Sequence, residues 1–178
     1  MFKNPFQVAV TFAVVALIVK LIIFSMNAQH GDMETYIRYI YMLILLTAVF
    51  FGIRSNKINA EQKPSFGQDF KAGARTASFF AIIVAVITYV YYAKIDTHFF
   101  ELKKEPILQA AMEETTHKLK TEGKEAALAY LSNQMYGMNL MLGPYFQAMT
   151  TMMGLVFMGL FNSVVFAFLM KKMPGFKQ

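Results

Sequence analysis

Charges set within apolar runs are where a sequence of this kind could do chemistry, and Lys20 is the first of them. An ammonium inside a membrane span is costly unless it is paired, lines a path or contacts lipid. It lies about six residues from the outer end of its run, where a lysine also reaches the interface along its four-carbon stem. Arg38 follows at the edge of a second apolar run, one helical turn beyond Glu34. That spacing offers an i to i+4 ion pair or a contact with lipid phosphate. A third group, Asp69 with Lys71 and Arg75, stands at the start of a third run, where it could bind an anionic headgroup or a partner protein. An ordinary positively charged flank has the same composition.

Softer ligands are weaker candidates. Met135, Met138 and Met141 recur at intervals of three and could hold Cu(I), but methionine is also a flexible core filler, and neither cysteine nor a nearby histidine reinforces the set. His30, His98 and His117 share no metal-ligand spacing and read as solvated surface. No phosphate loop, zinc-protease helix, nucleophile elbow or dinucleotide glycine pattern occurs. Adjacent acids such as Glu113 and Glu114 point in different directions on a helix. The chain is therefore expected to be no enzyme and to need no cofactor or metal.

These residues sit on elements that composition identifies. Of 178 residues, 56% are hydrophobic and 16% charged, an apolar excess for a soluble domain. Four runs are long enough for membrane spans, at about residues 6–26, 36–53, 70–92 and 145–170. The first is expected to be retained, because no signal-cleavage pattern follows it. With no cysteine there are no disulfides, and with no tryptophan the interfacial aromatic role falls to tyrosine and phenylalanine.

The third helix is expected to begin near Phe66, ahead of the apolar run. In Ser65-Phe66-Gly67-Gln68, the serine can accept from the backbone N–H of Gln68 while the glutamine side chain reaches back to Ser65. Ala81 and Ala85 form a small-x-x-x-small pair suited to close helix contact. Residues 93–143 are polar in character. Pro106 suits an early helix position and Gly123 a break between two surface helices, with Ile107, Leu108, Ala111, Met112 and Leu119 in the first and Leu128, Leu131 and Met135 in the second. Lys171 and Lys172 end the last run, before Pro174-Gly175.

Orientation follows from the charges. The two tails and the 54–75 connector carry nine basic residues (Lys3, Arg54, Lys57, Lys63, Lys71, Arg75, Lys171, Lys172 and Lys177) against Glu61 and Asp69 alone. The other side carries seven basic residues against nine acids, including Asp32 and Glu34. Basic residues in short loops stay inside, so both termini and the connector are expected in the cytoplasm and the 93–143 segment outside. The net charge of +6 then reflects topology and not nucleic-acid binding.

The expected fold is all-α and integral to the membrane, with four transmembrane helices and a helical extracytoplasmic segment between the third and fourth, treated as one membrane domain over residues 1–178. Pro64-Ser65-Phe66-Gly67-Gln68-Asp69-Phe70-Lys71-x-Gly73, the exit Tyr89 to Tyr92, Asp96 through Phe99, and a Gly159-containing last span ending in Lys171-Lys172 carry a resemblance that covers essentially the whole chain. The sequence resembles the bacterial family of small four-span membrane proteins known as domain of unknown function 4199. That resemblance implies a bacterial inner-membrane protein working beside an enzyme such as a lipid-linked glycosyltransferase.

The expected function is that of a non-catalytic accessory or scaffold subunit. The alternative is a small oligomeric channel, transporter or lipid-handling protein. The partners are membrane lipids and either a protein partner or further copies of the chain. Lys20, Arg38, Ser65, Phe66, Gly67, Gln68, Asp69, Lys71 and Arg75 are the candidate partner or lipid contacts.

Overall fold

A computed structural model describes residue 2, residues 4–29 and residues 33–172. All regular structure among them is helical: α1 (Pro5–Ser25), α2 (Met33–Asn59), α3 (Phe66–Lys94), α4 (Phe99–Thr121), α5 (Lys124–Met141) and α6 (Pro144–Lys172). Lys3, His30, Asp32, the Pro174-Gly175 stop and Lys177 lie outside the described residues, as does the side chain of Glu34. The chain forms two compact units, residues 1–87 with 150–178, and residues 88–149.

The first unit contains α1, α2, and most of α3 and α6. These carry the four stretches long and apolar enough to cross a membrane. Helix α1 starts where Asn4 accepts a 2.9 Å hydrogen bond from the Gln7 backbone N–H and Pro5 occupies the first turn, a position that needs no N–H. It ends at Ser25, and two residues on Asn27, with a φ of 51°, takes the left-handed conformation that asparagine tolerates. Its 21 residues reach about 31 Å, the thickness of the hydrocarbon core. Val8, Ala9, Ala13 and Ala16 are its buried side, and it packs on α2.

Helix α2 runs past the expected end of its apolar stretch, through Arg54 and Lys57 to Asn59. No breaker interrupts it before Pro64, and its last turns are tied to the start of the chain. Ser55 Oγ and Asn59 Nδ2 donate to the Phe2 carbonyl at 3.0 and 3.1 Å. Helix α3 begins at Phe66 through the reciprocal cap expected from sequence. The Gln68 N–H donates to Ser65 Oγ at 3.3 Å, and the Ser65 N–H donates to Gln68 Oε1 at 2.7 Å.

Small residues set the helix spacing. A Cβ on Gly52 of α2 would collide with the Thr76 hydroxyl of α3. A Cβ on Gly73 of α3 would stand 2.8 Å from Ser163 Oγ of α6, and one on Gly159 would strike the Ala77 methyl. Gly73-x-x-x-Ala77 thus faces Gly159-x-x-x-Ser163 in antiparallel register, which lets the two backbones approach closely. The hydroxyls of Thr76 and Ser163 donate to their own helices, at Ala72 O and Gly159 O. This satisfies them without a partner from another helix. Ala81 and Ala85 are both buried. Val8, Leu45, Val49, Ile53, Ala77, Phe80, Val84 and Met170 belong to the core cluster.

In the second unit α4 and α5 form a hairpin, broken at Gly123, whose φ of 92° suits a residue without a side chain. Pro106 does not open a helix as the sequence suggested. It lies inside α4, which begins seven residues earlier at Phe99. An aromatic knot fixes that earlier start: the Tyr92 ring lies 4.7 Å from that of Phe99 and 5.1 Å from that of Phe100, and the two phenylalanine rings meet edge to face at 5.2 Å. The Tyr91 hydroxyl donates to Asp96 Oδ2 at 3.3 Å, with both residues buried. Those contacts outweigh one missing backbone hydrogen bond at the proline.

Candidate interaction surfaces

Lys20 does not stand free in its span. Its ammonium lies 5.8 Å from the centre of the Tyr41 ring on α2, a cation–π contact that offsets part of the cost of burying charge. Arg38 is exposed near the start of α2, beside the exposed rings of Tyr36 and Tyr39. A cation with tyrosines at a span end is the composition of a membrane interface.

The group at the start of α3 divides in two. Ser65 and Gln68 are engaged in the helix cap. Asp69 turns inward: it is 1% exposed, and its Oδ2 pairs with Lys57 Nζ of α2 at 3.0 Å. Its other oxygen has no hydrogen-bond partner among the described residues. Phe66, Gly67, Lys71 and Arg75 remain on the outer surface. The helical period explains the division, because positions 67, 71, 75 and 78 share one side of α3 and position 69 falls opposite. Asp69 is therefore part of the bundle interior and is separated from the two cations with which it was grouped.

The hairpin presents a different surface. Only Ala111 and Ala127 are buried along the contact of α4 with α5, and Lys104 Nζ bridges the helices to Asn139 Oδ1 at 3.0 Å. Leu102, Ile107, Met112, Leu119, Leu128, Met135 and Tyr136 are exposed. Charges are interspersed among them, including Lys118, which hydrogen-bonds Glu122 at 2.8 Å and lies over the Tyr130 ring. The Glu122 hydrogen bond raises the Lys118 ammonium above its ordinary pKa, partly opposed by desolvation. His98 pairs with Glu101 at 2.8 Å on the surface, and His117 is exposed. Met135 and Met141 are exposed and Met138 is half-buried. Among the described residues, no three His, Asp or Glu side chains come close enough to hold a metal ion.

Sequence reasoning missed Lys57, Tyr41 and the Gly73–Ser163 and Ala77–Gly159 contacts. The glycine spacing in α3 and α6 was a readable signal. The partnerships of Lys57 and Tyr41 depend on how separate helices face one another and leave no local pattern. Neither the curated proteins nor the solved structures hold a match to the chain. The model of the family described as protein of unknown function DUF4199 matches residues 7–172, nearly the full length, and the chain belongs to that family.

Proposed function

We propose that this multi-pass membrane protein is a non-catalytic accessory subunit that uses the α4–α5 hairpin to hold a partner protein. The observation that carries this reading is the mismatch within the hairpin. Apart from Phe99 and Phe100 at its start, its buried residues are two alanines, while Leu128 is 55% exposed and Tyr136 73% exposed. Five acids and five lysines run through the same two helices, which argues against immersion in hydrocarbon. An aqueous surface rich in exposed Met, Tyr and Leu beside charges has the composition of a protein interface. The first unit supplies the anchor, because its glycine contacts and the Lys57–Asp69 pair make a closed bundle.

The family resemblance suggests a bacterial inner membrane, and the charge distribution favours both termini in the cytoplasm and the hairpin outside. A membrane-associated glycosyltransferase is the partner class that the family resemblance suggests. The test is tagged purification of the full chain in mild detergent, compared with a Leu128→Asp, Tyr136→Ala variant. A stoichiometric membrane protein that co-purifies with the wild type and is lost from the variant is expected. Recovery of the tagged chain alone from both would overturn the reading.

A further inference from the structure

Two grooves flank the first turns of α3. One, of about 490 Å³, is lined by Gly67, Lys71, Ala74, Arg75, Ser78 and Phe79. The other, of about 590 Å³, is lined by Phe66, Phe168, Lys171 and Lys172, and brings the start of α3 and the end of α6 to one end of the bundle. Each combines two cations with aromatic side chains, and the first adds small ones. All four cations are exposed. The acid nearest in sequence, Asp69, is sequestered by Lys57 on the opposite side of α3 and neutralises none of them.

We infer that these grooves seat an anionic phospholipid, its phosphodiester between Lys71 and Arg75 or between Lys171 and Lys172 and its acyl chains along the apolar walls. The charge selects an anion, and the predominance of phenylalanine, glycine and alanine selects an amphiphile over a soluble ion. Basic pockets beside span ends have this recognition chemistry. Gly67 leaves the trough open: an added Cβ there would meet only Ser65 Oγ, at 4.0 Å. A larger side chain at that position fills the groove without disturbing the bundle.

The test is native mass spectrometry of the full chain released from detergent with phosphatidylglycerol, phosphatidylcholine or glycerol 3-phosphate added. Wild type is expected to retain phosphatidylglycerol in preference to the other two. Lys71→Gln with Arg75→Gln is expected to weaken that retention roughly tenfold to thirtyfold, since two basic residues near a lipid surface together contribute an amount of that order. Lys171→Gln with Lys172→Gln should weaken it similarly. Gly67→Leu, which keeps every charge, should weaken it as well. Lys63→Gln, outside both grooves, should leave it unchanged and serves as the control for general charge loss. Equal retention of phosphatidylcholine, equal retention of glycerol 3-phosphate, or wild-type retention by the Lys71/Arg75 double variant or by Gly67→Leu would overturn the inference.

Discussion

Lys57 Nζ of α2 meets Asp69 Oδ2 of α3 at 3.0 Å, and with side chains only 14% and 2% exposed the pair closes the connector between the two helices from within the bundle. Removing one member strands the other. Lys57→Ala or Asp69→Ala should each destabilise the bundle by about 3 kcal/mol or more, whereas the double change to Lys57→Met with Asp69→Leu should cost much less. Thermal unfolding of the three variants in one detergent checks this. Additive losses in the double variant would mean that the pair is not coupled.

The glycine contacts carry a second expectation. Gly52→Val forces two methyl groups toward Thr76, and Gly159→Leu drives a side chain into Ala77. Each should lower stability by about 1–3 kcal/mol, the usual cost of overpacking a close contact. Gly137→Ala, where nothing lies within 4 Å, should be neutral or slightly stabilising because it improves helix propensity. Melting curves of the purified proteins decide the ordering.

The helices were legible in the sequence for particular reasons. Uninterrupted apolar runs marked the four spans, and Ser65 with Gln68 marked the start of α3, because both are local patterns. The start of α4 was not legible. Pro106 is a local signal, and it was overruled by the packing of Tyr92 on Phe99 and Phe100, which only the folded turn brings together. The site residues divided in the same way. Lys71 and Arg75 lie on the surface where an ordinary span flank would place them. Asp69, read as their companion, belongs to Lys57 twelve positions earlier, a pairing set by the crossing of α2 and α3.

Orientation is directly measurable because the chain has no cysteine. Single cysteines at Glu61 and at Ser132 should report opposite sides of the membrane under the proposed orientation. In intact spheroplasts an impermeant maleimide should label Ser132→Cys and spare Glu61→Cys until the membrane is opened. The reverse pattern would invert the topology.

Lys118 gives a titration outside the spans. Its folded pKa is raised above 10.5, chiefly by the hydrogen bond it donates to Glu122. The pairing contribution is therefore complete below that ordinary value and is lost as pH rises through the higher folded one. The labelled Lys118 side-chain resonance should titrate above pH 10.5, and Glu122→Gln should bring it down. A midpoint unaffected by Glu122→Gln would remove the assigned cause.

The hairpin as a docking surface is tested most directly by placing a photo-crosslinking amino acid at Tyr136 in the full chain and irradiating living cells. One discrete adduct to a single membrane protein is predicted. It should be absent when the crosslinker is placed at Phe157, an exposed position within the long apolar helix α6. No adduct from Tyr136, or adducts only to further copies of the chain, would contradict the proposal that this protein serves as a partner's subunit.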